Sequence, residues 1–339
     1  MIIFKSYKRI ICALCLVLAA CFSIIYYIKF KKEKFYSNGG FERTYLPINS
    51  QLIFANTSNK NIYRFSNSSN TKYALGFTEN SFLKLTFSGN MLREIPVRGI
   101  IHYPNNEYFN DDSNNNIYVV TNNTLITKQA FGPDNEYYKT KSSVNFNRPL
   151  FEPIIFNNDK IICLRANTKK WKFQFQNSAK KNNEKEQLIK LVDQGEIKFS
   201  KQDKTFIYVS LFSNEIVQYD TLFNIILRAK TIDTVTTKPR VTENQNNLIF
   251  SSAPRITNYD FFILKDKLFV RSIVKSNNDV DFKNKVMFDI YKIDKKFKYV
   301  GSFFLKKTNT SVPTDMHMLS NNNLILLYEN SIEIFKIKL

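Results

Sequence analysis

Short β-type runs recur along this chain at nearly even intervals. Runs rich in Ile, Val, Phe and Tyr begin at residues 117, 161, 206, 248, 286 and 324, so successive onsets lie 44, 45, 42, 38 and 38 residues apart. These residues pack well on a pleated surface, and the Asn, Ser, Asp and Lys clusters between the runs are typical of turns. Propellers repeat a four-stranded blade every ~40–50 residues, whereas a pair of β-sandwiches does not require such even spacing. The spacing therefore predicts an all-β propeller.

The length of the repeating region sets the number of blades. Residues 51–339 number 289, which is about 48 residues for each of six blades or about 41 for each of seven. We predict six blades and keep seven as the alternative, because the repeat is blurred between residues 52 and 117. The predicted segments are a basic N-terminal region (1–9), a membrane helix (10–28), a basic linker (29–44) and the propeller (45–339).

The last β-type run, Ile332–Ile337, has no later partner in the sequence. Its edge groups would stay unpaired unless a strand near Leu52–Ala55 joined the same blade. We therefore expect the two ends of the propeller region to pair.

Three segments of the C-terminal half resemble a known family. They are Tyr259–Arg271, Phe288–Asp294 and Tyr299–Phe304, and they are similar to the TolB-like six-bladed β-propeller proteins of unknown function from Bacteroidetes cell envelopes. The resemblance implies a propeller in a bacterial envelope. It assigns no functional residue, because the shared motifs are structural.

An uncharged apolar run of 19 residues, Ile10–Ile28, lies near the start of the chain. A helix needs ~20 apolar residues to cross a bilayer. With only nine residues before the run, the simplest topology is an N-in signal anchor with an exported C-terminal domain. We therefore predict a membrane-anchored protein of the bacterial cell envelope, facing the periplasm or the cell surface.

A lipoprotein signal is the competing interpretation of the same region. Leu18-Ala19-Ala20-Cys21 resembles a lipobox, in which cleavage occurs before Cys21 and that cysteine is acylated. Lipoproteins usually become polar after this cysteine, whereas Phe22–Ile28 stays apolar. The apolar extension favours an uncleaved anchor and leaves lipidation at Cys21 as the alternative.

The net charge of +20 raises the question of nucleic acid. A basic domain can attract polyanions, but the sequence contains none of the base-reading modules. The combined richness in Lys, Asn, Ile, Phe and Tyr also fits an AT-rich genome. We therefore expect no specific nucleic-acid partner.

One basic stretch, residues 169–190, is a candidate partner-binding segment. Its first part, Lys169, Lys170, Trp171 and Lys172, combines lysines with an aromatic residue. Such a surface could contact an anionic glycan, a lipid headgroup or an acidic partner. The alternative is that the aromatic residues belong to a blade core and the lysines to a solvated loop.

Glycine and histidine are scarce, which removes many enzyme signatures. The eight glycines form no dinucleotide-binding fingerprint, phosphate-binding loop or nucleophile elbow, and two histidines cannot form a His-rich metal cluster. We predict no cofactor and no metal. Asp315 and His317 could act as an acid–base pair on one strand face, but we interpret His317 as a turn residue.

These observations predict an exported, membrane-tethered propeller that acts as a binding or scaffolding module for an unknown protein or glycan partner. A glycan hydrolase or lyase with carboxylates in the channel is the first alternative, since such chemistry needs no glycine-rich motif. A polyanion-binding surface protein is the second.

Overall fold

In the computed structural model, the chain is built almost entirely from β-strands. The structure describes residues 40–57, 62, 64–66, 72–78, 81–88, 91–98, 107–111, 116–121, 124–131, 137–145, 150–157, 160–167, 172–177, 194–244 and 247–338. Within these ranges the strands form seven antiparallel sheets, five of which have four strands. The protein is therefore an all-β propeller, as the sequence predicts.

The first three sheets come from the N-terminal half of the chain. Sheet 1 contains β2 (Arg64–Phe65), β3 (Ala74–Phe77), β4 (Phe82–Ser88) and β5 (Met91–Val97). Sheet 2 contains β6 (Glu107–Asp111), β7 (Asn116–Thr121), β8 (Thr124–Phe131) and β9 (Tyr137–Asn145). Sheet 3 has three strands, β10 (Leu150–Asn157), β11 (Lys160–Asn167) and β12 (Lys172–Asn177).

The remaining sheets come from the C-terminal half and from the first described strand. Sheet 4 contains β13 (Gly195–Ser200), β14 (Thr205–Ser210), β15 (Glu215–Tyr219) and β16 (Ile225–Lys230). A two-stranded hairpin, β17 (Val241–Asn244) and β18 (Asn247–Phe250), separates it from sheet 5. Sheet 5 contains β19 (Asn258–Leu264), β20 (Lys267–Ser272), β21 (Lys285–Lys292) and β22 (Lys298–Lys306). Sheet 6 contains β23 (Asp315–Met318), β24 (Asn323–Tyr328), β25 (Ser331–Lys338) and β1 (Asn49–Thr57).

The first strands of neighbouring sheets contact one another. β6 contacts β10, β10 contacts β13, β13 contacts β19, and β23 contacts both β19 and β2. Sheets 1 and 2 share a core that includes Leu75, Phe82 and Val119. The sheets therefore surround a common centre. The strands nearest to this centre are β2, β6, β10, β13, β19 and β23, one from each of sheets 1 to 6.

The two ends of the described chain meet in sheet 6. β1 pairs with β25 along its length, with Leu52 opposite Phe335 and Ala55 opposite Glu333. The predicted pairing of the terminal strands is confirmed. Closure in this way leaves no unpaired edge on β25.

Apolar layers hold adjacent sheets together. Between sheets 5 and 6, aromatic residues including Phe269, Phe288 and Phe303 pack against Leu324 and Phe335. Every residue of β14 and β24 is buried, as expected for strands covered on both faces.

The segment before β1 is bound to sheet 5. Arg43, which is 3% exposed, donates from Nε to Asp289 (2.8 Å) and from Nη2 to Ser272 (2.9 Å), and it also forms an ion pair with Asp279. The hydroxyl of Tyr45 donates to the same Asp279 carboxylate. Burial opposes the charge of Asp279, but these hydrogen bonds and Arg43 lower the pKa of its carboxyl. The segment is thus fixed by buried, charge-assisted hydrogen bonds.

One predicted blade strand forms a separate hairpin, and the predicted membrane helix lies outside the described residues. The run beginning at residue 248 belongs to the hairpin between sheets 4 and 5 rather than to a four-stranded blade, because β17 and β18 pair only with each other. The predicted membrane helix at residues 10–28 lies outside the described residues. In the part of the chain that is described, no helix is both long and apolar enough to cross a bilayer.

Candidate functional site

Three charged side chains meet where sheets 4, 5 and 6 come together. Lys198 lies on β13, Asp260 on β19 and Asp315 on β23, which are the innermost strands of sheets 4, 5 and 6. The Lys198 Nζ donates to Asp260 Oδ1 at 2.7 Å and to the Phe261 carbonyl at 2.6 Å. This pair therefore links sheet 4 to sheet 5 beside the centre of the propeller.

Asp315 makes an equivalent link between sheets 6 and 1. Its Oδ2 accepts a hydrogen bond from the Phe65 backbone N–H at 2.6 Å, and its Oδ1 accepts one from the Met316 N–H at 2.7 Å. Both carboxylate oxygens are thus engaged by backbone donors. The carboxylate supplies a hydrogen-bond partner to the short strand β2.

The charges of this group perturb one another. Burial, followed by repulsion from the Asp260 carboxylate, raises the pKa of Asp315 to about 6, although the two backbone hydrogen bonds and Lys198 act in the opposite direction. Burial is the largest single influence and lowers the pKa of Lys198, but attraction to Asp260, Glu196 and Asp315 and the hydrogen bond to Asp260 together raise that pKa above its usual value. Lys198 therefore stays protonated at neutral pH, and Asp315 gains or loses its proton near pH 6.

Arg271 lies on β20 directly opposite Asp260 and is only 1% exposed. Its Nη2 donates to the Pro313 carbonyl at 2.6 Å, and its guanidinium lies 4.4 Å from the centroid of the Tyr259 ring. Within the described residues, its Nη1 has no hydrogen-bond partner. Burial lowers the pKa of Arg271 below its usual value, although the nearby Asp260 and Tyr259 act in the opposite direction. Arg271 thus stacks on an aromatic ring beside the three-residue cluster.

His317 lies in β23 and is buried, so the interpretation of this residue as part of a turn is wrong. Its ring meets that of Phe65 edge-on, with centroids 6.2 Å apart. Asp315 and His317 are two residues apart on one strand and both contact Phe65. Within the described ranges, no group of three or more His, Cys, Asp or Glu side chains is placed to hold a metal ion.

Most of the sequence-predicted partner segment lies outside the described residues. Lys169, Lys170 and Trp171 lie outside the described residues, as does Cys21. Lys172 begins β12, and only its strand pairing with Asn167 is described.

Sequence reasoning missed Lys198, Asp260 and Arg271. Each belongs to a strand that gives no catalytic motif, and their proximity depends on the order of sheets around the centre. A charged residue inside an apolar run, such as Asp260 in Tyr259–Leu264, was the available signal, because such a residue needs a partner when buried.

The ring of sheets, closed by the pairing of the first and last described strands, defines the class of protein, a β-propeller. No family model matches the sequence, and no curated protein matches it. A solved structure of a DUF4221 family member from Bacteroides vulgatus is similar with a TM-score of 0.51 and 10% identity, over 89% of this chain and 99% of that one. A streptogramin B lyase structure is similar with a TM-score of 0.47 and 10% identity, over 86% and 98% of the two chains. The DUF4221 likeness supports the fold and does not single out the TolB-like group.

Proposed function

We propose that the protein is an exported, membrane-tethered propeller of six blades that binds a protein or glycan partner without transforming it. The three-stranded sheet 3 would be the sixth blade, because β10 contacts both β6 and β13 and so occupies a full place in the ring. The hairpin β17–β18 is then an insertion between two blades. On this proposal the protein resembles the TolB-like envelope propellers in architecture as well as in sequence.

The observation that carries the binding role is that both central carboxylates, Asp260 and Asp315, are already engaged in hydrogen bonds. Asp260 pairs with Lys198 and accepts from the Phe261 N–H at 2.6 Å. Asp315 accepts from Phe65 and Met316. A glycosidase needs one carboxyl free to donate a proton and a second free to act as a base or nucleophile. Here both carboxylates join neighbouring sheets, which favours a structural role at the centre and binding on the loops.

A panel of neutral and acidic polysaccharides tests this proposal. The full-length protein in detergent micelles would be assayed for binding by biolayer interferometry, for new reducing ends, and for the ultraviolet absorbance of unsaturated lyase products. We expect binding to at least one polysaccharide without product. Product formation that is abolished in Asp315→Asn would overturn the binding role.

The alternative of a hydrolase or lyase is favoured by one specific observation. Asp315 has a pKa of about 6 and lies beside a second carboxylate, Asp260; a carboxyl whose pKa is raised by its surroundings is suited to act as the general acid of a glycosidase. In this case product formation would follow a pH profile with a limb near pH 6 in the parent and would be abolished in Asp315→Asn.

The tether is a separate part of the proposal. Residues 10–28 would remain as an uncleaved anchor, joined by the basic linker to the segment that Arg43 fixes on sheet 5. The intact mass of protein extracted from membranes decides between the two signals. We expect the mass of the complete chain, and a species that begins at acylated Cys21 would establish the lipoprotein.

A further inference from the structure

Three lysines form a row across sheet 5. Lys267 on β20 lies opposite Lys292 on β21, and Lys292 lies opposite Lys298 on β22. Directly opposed residues point to the same face of a sheet, and adjacent strands are ~4.8 Å apart. The row therefore sets three positive charges in line at one end of the sheet. Like charges directly opposite each other cost stability, so this arrangement is unfavourable for the isolated sheet.

The adjoining turns add to the positive charge. Lys265 lies in the β19–β20 turn, and Lys295 and Lys296 lie in the β21–β22 turn; all three are exposed. Asp266 and Asp294 are the acidic residues of these turns, so the six lysines leave a net charge of 6 − 2 = +4. Among the described residues, none of the six lysines forms a salt bridge.

The backbone of the two turns is fixed by hydrogen bonds and by one buried ring. The Ile293 N–H donates to the Asp266 carbonyl at 2.7 Å, which ties one turn to the other. The Asp294 carboxylate accepts from the Lys296 N–H at 2.9 Å. Phe297 is 3% exposed and packs into the core shared by sheets 4 and 5, which anchors the second turn. A surface already ordered in this way loses little entropy when a ligand binds.

We propose that this lysine row, together with its two turns, binds an acidic polysaccharide. A linear row of charges ~4.8 Å apart suits a chain that carries one carboxylate on each successive sugar. Among the described residues at these turns, no exposed aromatic side chain accompanies the lysines, whereas proteins that bind single-stranded nucleic acid combine basic residues with stacking platforms. The inference rests on the proposed binding role and gives it a surface and a class of partner.

The test compares two triple variants of the full-length protein in detergent micelles. Lys267→Gln/Lys292→Gln/Lys298→Gln removes the row, and Lys230→Gln/Lys275→Gln/Lys283→Gln removes three exposed lysines from other places, so both lower the net charge by the same amount. Binding to polygalacturonate, to neutral dextran and to single-stranded DNA would be measured by biolayer interferometry across a salt series. Thermal melting would check that both variants are folded.

We expect polygalacturonate to bind the parent and the control variant, and the affinity of the row variant to fall about tenfold with a shallower salt dependence. Equal losses in the two variants would overturn the inference in favour of non-specific charge. Tighter binding of DNA than of polygalacturonate, lost with the row, would overturn the polysaccharide assignment. If another polysaccharide of the panel binds while polygalacturonate does not, this inference fails and the binding role stands; product formation would instead overturn the binding role.

Discussion

Leu52 of β1 lies opposite Phe335 of β25, although they are 283 positions apart in the chain. The first described strand is therefore the outer strand of a sheet whose other three strands come last. Phe335 also contributes to the core between sheets 5 and 6, at 2% exposure. Because the pairing makes the ring continuous, its loss should destabilise the whole propeller.

Deletion of residues 331–339 should destabilise the propeller far more than fraying of a terminus would. The deletion removes β25, the partner of both β1 and β24, and exposes the core on both sides of sheet 6. The single substitution Phe335→Ala should cost about 3–5 kcal/mol, as a large-to-small change in a core. Thermal melting and protease digestion measure the loss of stability in the deletion variant and in Phe335→Ala, each compared with the parent protein. Ile226→Ala, at a residue 54% exposed, is the matched control; a deletion that melts like the parent would contradict closure.

Arg43→Met should destabilise the attachment of the N-terminal segment to sheet 5. It leaves the buried carboxylates of Asp279 and Asp289 without their cation, and breaking a buried ion pair typically costs about 3–5 kcal/mol. Chemical denaturation monitored by far-ultraviolet circular dichroism measures the change in the free energy of unfolding. Arg228→Met removes a mostly exposed pair with Glu215 and should change stability by about 1 kcal/mol or less. Equal effects from the two substitutions would argue against the buried clamp.

Lys198 and Asp260 should be energetically coupled. Lys198→Met leaves the Asp260 carboxylate without its cation, and Asp260→Asn removes the negative charge that balances the Lys198 ammonium. We expect each single variant to lose about 2–4 kcal/mol and the double variant to lose less than the sum, since the second change removes an uncompensated charge. A double-mutant cycle from urea denaturation gives the coupling directly. If the losses in the free energy of unfolding were additive, the two side chains would have no interaction energy between them.

Asp315 should make the propeller relatively more stable in mild acid. Its pKa is raised from 3.8 to about 6, so its contribution to stability is fully present below about pH 4 and is lost as the pH rises through about 6. Asp315→Asn removes the buried charge and keeps one oxygen for the Phe65 N–H, but its NH2 group then faces the Met316 N–H, a loss that does not depend on pH. Relative to the parent, the variant should therefore be more stable at pH 7.5 than near pH 4, by on the order of 1 kcal/mol. Melting temperatures from pH 4 to 8 test this, with Asp294→Asn, at an exposed turn, as the control; an unchanged pH profile would refute the assignment.

The propeller could be predicted because its local signals agree with one another. The runs at residues 117, 206, 286 and 324 each became a strand of a separate sheet, since alternation and turn residues act over a few positions. The run at 248 had the same composition but formed a separate hairpin. Composition does not distinguish a blade strand from a hairpin strand, because both need the same residues on a pleated surface.

The sequence by itself determined the class of fold and the need for a partner for the last strand. These follow from residue type and spacing along the chain. Only the tertiary structure decided which charged residues would meet. Lys198, Asp260 and Asp315 come from three sheets, and Lys267, Lys292 and Lys298 from three strands. Their proximity depends on the order of sheets around the centre and on strand register, and a shift of one residue in register would place each side chain on the opposite face.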